Sequence, residues 1–92
     1  GFLPQKKGRQ KRLLDLQQES RTMIFYESPF RLQKFLSQLA ETLGSERRAS
    51  VSREISKVHE ETIRGTLGEL STLFLTKIPK GEFVVIVAGL NN

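Results

Sequence analysis

The chain has no cysteine, which excludes a disulfide framework and a thiolate metal site and is compatible with a reducing compartment. No apolar run approaches the roughly 20 residues of a membrane span and no signal-peptide pattern is present, so the expected setting is the cytoplasm, with no membrane partner. Acid is missing from the beginning of the chain: nothing negative precedes Asp15. The glycines Gly65, Gly68, Gly81 and Gly89 do not fall into a dinucleotide or phosphate-loop fingerprint. His59 is the one histidine. The stretch His59-Glu60-Glu61 therefore lacks the second ligand of a zinc-protease helix, and no metal site is expected. Internal repeats and low-complexity tracts are absent as well.

What is there is one small domain's worth of sequence. Ninety-two residues support a single modest core. The net charge of +5 is concentrated at one end: Lys6, Lys7, Arg9, Lys11 and Arg12 lie within seven positions, and beyond them ten basic residues balance ten acidic ones. Such a cluster is either a solvated helix start or a nucleic-acid footprint, in which each neutralised phosphate releases counterions. Cations in a first helical turn oppose the macrodipole, at a cost of a few tenths of a kcal/mol each.

Hydrophobic periodicity orders the rest. Gly1 to Lys7 reads as a loop, and residues 8–18 as a short helix with Leu13, Leu14 and Leu16 as its apolar contribution. Thr22 to Tyr26 is a continuous apolar run, expected to be a central strand covered on both faces. Ser28 then has the position of an N-cap and Pro29 that of the first helical residue. Leu32, Phe35, Leu36, Leu39, Ala40 and Leu43 recur at three- and four-residue steps, with Gly44 placed to end the helix in a left-handed cap. Ala49 to Glu54 and Val58 to Arg64 read as a hairpin with one open face or edge. Thr66 and Glu69 have the spacing of a capping box, opening a helix through Leu70, Leu73 and Phe74 that Pro79 and Gly81 close. Phe83 to Ala88 is a further buried strand. This order predicts an α/β layer domain: a mixed, partly parallel sheet of about four to five strands with flanking helices, one parallel crossover and one hairpin.

No self-contained catalytic motif stands out, but Glu27-Ser28-Pro29 lies at the C-terminal end of a buried strand, where open α/β sheets place ligands, and Tyr26 and Glu27 are expected to face a cleft there. Arg53 and Glu54 end another strand and are expected at the same edge, either as a surface ion pair or as part of a site.

Five phrases in fixed order carry a resemblance: Gly1-Phe2-Leu3-Pro4 running into Lys6-Lys7, Phe25-Tyr26-Glu27-Ser28-Pro29, Arg53-Glu54-Ile55-Ser56-Lys57 with His59-Glu60-Glu61, Arg64-Gly65-Thr66-Leu67, and Gly81-Glu82-Phe83-Val84. They resemble the C-terminal lobe of the tetrapyrrole-methylase-like family of S-adenosylmethionine-dependent methyltransferases, and within it the members that methylate a ribose 2'-hydroxyl of a cytidine in small-subunit ribosomal RNA. The resemblance spans nearly the whole chain. Phe30 departs from it, standing where a histidine is frequent.

The resemblance implies that residues 1–92 are one lobe of a two-lobe enzyme whose N-terminal lobe is not in this sequence, and that this lobe alone is inactive. It implies S-adenosylmethionine as cofactor, with Tyr26, Glu27, Ser28, Pro29, Arg53, Glu54 and Ile55 on the cofactor-facing edge together with the Val87 to Gly89 strand end. Gly1 to Pro4 would sit near the cleft mouth. It further implies ribosomal RNA or the small ribosomal subunit as partner, contacted by Lys6, Lys7, Arg9, Lys11 and Arg12, and admits a homodimer of the full-length protein. A ribose hydroxyl attacks only once its proton is taken or its pKa lowered; Lys57, Glu54 or a group on the other lobe are the candidates. A methylase of a small tetrapyrrole and a non-enzymatic RNA-binding module remain the alternative readings.

Overall fold

A computed structural model describes residues 9–56, 59–77 and 81–90, with side chains at 11–53, 60–77 and 81–90. Helix α1 (Arg9–Asp15) runs into a 3-10 turn (Leu16–Gln18), followed by β1 (Met23–Glu27), α2 (Leu32–Leu43), β2 (Arg48–Ser56), β3 (His59–Thr66), α3 (Leu67–Thr76) and β4 (Phe83–Val87). The four strands form one sheet in the order β1-β4-β2-β3.

Every pairing in the sheet is antiparallel. The expected parallel crossover is thus corrected. β1 and β2 do run in the same direction, but β4 lies between them in the opposite sense and pairs with both: Phe25 and Val51 each face Val85. Connectivity alone suggested a crossover because a strand, a helix and a strand follow one another; it carries no signal that a later strand will insert between the two. The β2–β3 hairpin is as expected, with a register shift near Glu54 and Ser56.

A second correction concerns β1. Among the described residues it is an edge strand, and its burial alternates: Met23, Phe25 and Glu27 are buried while Ile24 and Tyr26 are exposed. The apolar run reflects one face packed on the core and another that carries apolar side chains in the open.

The helices supply the core on one face. Leu32, Phe35, Leu36, Leu39 and Leu43 form the buried stripe of α2, and they join Leu67, Leu70 and Phe74 of α3 with Phe25, Val51, Phe83, Val85 and Val87 of the sheet. Edge-to-face contacts fasten the layers, Phe25 to Phe35 at 5.2 Å between ring centroids and Phe74 to Phe83 at 6.0 Å, a geometry favoured by the ring quadrupoles. Leu13 and Leu16 are buried at the margin of this core, whereas Leu14 faces outward. On α3, Leu73 is likewise exposed. At the C-terminus of α2, Gly44 takes a φ of +107° with an extended ψ of 135° and donates its amide to Ala40. The positive φ is as expected, the left-handed helical ψ is not.

The capping of the two larger helices differs. At α3 the Thr66 hydroxyl accepts from the Glu69 amide at 3.1 Å and Glu69 Oε1 accepts from the Thr66 amide at 2.8 Å, the reciprocal arrangement that satisfies two orphan donors. At α2 the N-cap is Arg31, with no side-chain cap, so Ser28 and Pro29 are not its cap and first residue. They occupy the first two positions of a turn closed by the Arg31 amide on the Ser28 carbonyl at 3.2 Å. Serine followed by proline suits those positions as well as it suits a helix start.

Candidate functional site

Register gathers the sites read from the sequence. Glu27 and Arg53 both lie opposite Phe83, on its two sides, so the ends of β1 and β2 share one edge of the sheet. β4 runs the other way, and its Val87 end pairs with Met23 and Ala49 at the far side. Residues 87–89 are therefore removed from the edge that holds Glu27 and Arg53, correcting the expectation that all three strand ends border one cleft. That expectation depended on parallel strands.

At the shared edge lies a concavity of about 380 Å³. Tyr26, Val84 and Ser52, neighbours across β1, β4 and β2 on the open face, form its floor. Glu60 and Glu82 stand at its rim beside Arg53 and Phe83. The ring of Tyr26 and the Val84 methyls offer an apolar surface to a flat group, and two carboxylates can accept from hydroxyl or ammonium donors.

Glu27 has a different role. It turns to the helix-covered face, its side chain 8% exposed, and its Oε1 accepts from the Ser28 amide at 3.0 Å and from Arg31 Nε at 3.2 Å. The carboxylate ties the end of β1 to the turn entering α2. Ser28 and Pro29 are held in that turn, half-buried, and Phe30 projects from it at 95% exposure. Arg53 pairs with Glu61 across the hairpin at 3.2 Å, and Lys77 approaches the same oxygen at 3.9 Å. The backbone of Glu54 and Ile55 belongs to β2 at this edge; their side chains lie outside the described residues, as do Lys57 and the Gly1 to Pro4 phrase.

Of the basic cluster, Lys11 and Arg12 lie on α1 and are exposed. Lys6, Lys7 and the side chain of Arg9 lie outside the described residues. Ser52 was not singled out by the sequence, and Glu60, Glu82 and Val84 stood in its motif phrases without being assigned to this site. The alternation along the hairpin marked an open face, but which residues share a row across strands follows only from pairing register. Among the described residues no group of three or more His, Asp or Glu side chains is arranged to hold a metal ion, and no helix is long and apolar enough to cross a membrane.

A helix-backed antiparallel sheet with a carboxylate-rimmed concavity at one edge makes this chain an α/β layer domain. The chain belongs to the tetrapyrrole (corrin/porphyrin) methylase family, whose model matches residues 2–71. It is 47% identical over 90 residues to a ribosomal RNA small subunit methyltransferase I of Synechocystis sp., covering 97% of this chain and 32% of that protein. The Bacillus subtilis protein of the same name is 45% identical over 93 residues, with 100% and 32% covered. That of Thermotoga maritima is 39% identical, with 97% and 40% covered. The chain thus spans about a third of the length of these relatives. Among solved structures, a cobalt precorrin-4 methyltransferase of cobalamin biosynthesis superposes with a TM-score of 0.61 at 18% identity, covering 83% of this chain and 32% of that one. That likeness establishes the fold.

Proposed function

We propose that this chain is the C-terminal lobe of a two-lobe, S-adenosylmethionine-dependent methyltransferase that methylates a ribose 2'-hydroxyl of a cytidine in small-subunit ribosomal RNA. The observation that carries the reading is the 39–47% identity, over nearly the whole chain, to proteins named ribosomal RNA small subunit methyltransferase I. It favours an RNA substrate over a tetrapyrrole, and an enzyme over a passive RNA-binding module. Such an enzyme works where ribosomes are assembled, in the cytoplasm.

The donor set of the edge concavity fits the cofactor. Tyr26 and Val84 would receive its flat ring, while Glu60 and Glu82 would accept from its ribose hydroxyls or ammonium group. S-adenosylmethionine supplies an electrophilic methyl group on a sulfonium. The chain's own contribution is to bind and orient: Glu27 and Arg31 fix the turn after β1, Ser28 and Pro29 in that turn would meet the cofactor, and Arg53, held by Glu61, sets the position of β2 at the concavity. Glu54 and Ile55, next along β2, would extend the cofactor edge. Lys57 and Glu54 stay the candidates in this lobe for removing the proton of the ribose hydroxyl. Lys6, Lys7, Arg9, Lys11 and Arg12 would meet RNA phosphates.

The test is methyl transfer by the full-length protein from labelled S-adenosylmethionine to small ribosomal subunits lacking the modification, with the label then mapped. Label on a cytidine ribose is expected. Label on a base, or transfer to a tetrapyrrole and not to RNA, sinks the reading.

A further inference from the structure

We propose that a second patch on the open face of the sheet, centred on Arg48 and Arg64, binds the RNA phosphodiester backbone; this rests on the RNA-methylating reading above. The register places the two arginines together. Arg48 faces Thr66 and Ser50 faces Arg64 across the β2–β3 hairpin, so the arginines are diagonal neighbours on one face, about 7–8 Å apart at the backbone and within mutual reach of long side chains. Both are exposed, and both line a concavity of about 250 Å³ whose other walls include the hydroxyl residues Thr22 and Ser50 and the side chain of Ile86.

Neither guanidinium has an ion-pair partner among the described residues. This separates them from Arg21, Arg31 and Arg53, which are paired with Glu19, Glu27 and Glu61. The acid that feels Arg48 is Glu69, and its Oε1 is engaged by the Thr66 amide in the capping box. Two neighbouring cations on a sheet repel each other unless an anion lies between them. Paired guanidinium forks with hydroxyl donors beside them match a phosphate diester in charge and in donor geometry.

The charge pattern of the same face assigns the two ends to different ligands. Arg64 and Glu60 lie on one face of β3, four residues and therefore about 13 Å apart. The end carrying Glu60 and Glu82 repels phosphate and suits a cationic cofactor; the end carrying Arg48 and Arg64 attracts phosphate. RNA anchored at the basic end would pass toward the Tyr26 concavity across the apolar strip of Ile24, Ile86 and Val84.

The experiment measures affinity of the full-length protein for a small-subunit RNA fragment over a range of salt. Each lost phosphate contact changes the slope of log K against log salt by about 0.7–0.9, so the R48Q/R64Q variant is expected to lower its magnitude by about 1.5. R48K/R64K should keep the wild-type slope, and K34Q, on the helical side of the domain, should leave it unaltered. S-adenosylmethionine affinity should be the same in all variants. If wild type binds RNA with a salt-dependent slope that R48Q/R64Q does not change, the patch is not a phosphate site and the RNA reading stands. An unchanged slope together with a lowered melting temperature means that another part of the protein covers the arginines, which overturns the proposal too. If wild type does not bind the RNA, the functional reading fails and this inference fails with it.

Discussion

Gly89 is packed against the backbone of Ser20 so closely that a β-carbon at position 89 would collide with the Ser20 carbonyl oxygen. The approach lets the Leu90 amide donate to the Glu19 carbonyl at 2.7 Å, beside the bond from the Ala88 amide to the Arg48 carbonyl at 2.9 Å. Gly89→Ala must therefore push two backbone segments apart. A cost of about 1–3 kcal/mol, the range for overpacking, is expected in urea denaturation. Wild-type stability would mean that residues 88–90 rest elsewhere in solution.

The α2 stripe and the turn before it should respond very differently to truncation. Leu36 is fully buried, and Leu36→Ala is expected to cost about 2–5 kcal/mol. The Ser28 side chain caps nothing, so Ser28→Ala should stay within about 0.5 kcal/mol of wild type. A loss of more than about 1 kcal/mol at Ser28 would restore it as a helix cap.

The capping box of α3 gives a pH dependence with a definite sign. The Glu69 carboxyl is held below its ordinary value of 4.5 chiefly by the hydrogen bond from the Thr66 amide. A lowered folded-state value means that the stabilisation is present above the ordinary value and is lost as pH falls through the lowered one. Thr66→Ala removes the hydroxyl half of the box at a cost of about 0.5–2 kcal/mol. Glu69→Gln should flatten the acid limb of the stability curve; an identical acid limb in wild type and variant would show that the box does not titrate.

Two neighbouring residues at the end of β1 should separate binding from stability. Tyr26→Ala, at a position half exposed on the open face, is expected to weaken S-adenosylmethionine binding to the full-length protein by about 2–10-fold, as for loss of an aromatic contact, with little change in melting temperature. Glu27→Ala removes a buried carboxylate that holds Ser28 and Arg31, and about 1.5–3 kcal/mol of stability should go with it, as for hydrogen bonds to a charged group. Calorimetric titration and thermal melts of the same samples check both. The opposite pattern would put Glu27 in the cofactor site and Tyr26 in the core.

Elements with a local signature were legible in the sequence. The leucine stripe of α2, the Thr66–Glu69 box and the β2–β3 hairpin each announce themselves within one short stretch of chain. Strand direction was not legible, since β1 and β4 are brought together from opposite ends of the chain and nothing in either run records the sense of the other. The antiparallel insertion of β4 then displaced residues 87–89 from the expected edge, while Tyr26 and Arg53 stayed together because β1 and β2 both pair with β4. The serine-proline step was ambiguous in itself, as turn and helix start favour the same two residues. The proximity of Arg48 to Arg64 was not legible either, the two being sixteen residues apart and adjacent only through hairpin register.

The placement of β4 also bears on when the fold can form during synthesis. It is the last of the four strands in chain order, yet it is the one that joins β1 to the β2–β3 hairpin. Until residues 83–87 have left the ribosome, β1 lacks the strand it pairs with among the described residues and Phe74 lacks the Phe83 ring it packs against. The hairpin and its following helix can assemble locally, but joining β1 to them waits for β4, across some sixty residues, and such non-local closure is slow. A nascent chain arrested before Phe83 would hold its apolar β1 strand open to other chains, so its vulnerability to aggregation should end abruptly with the emergence of five residues.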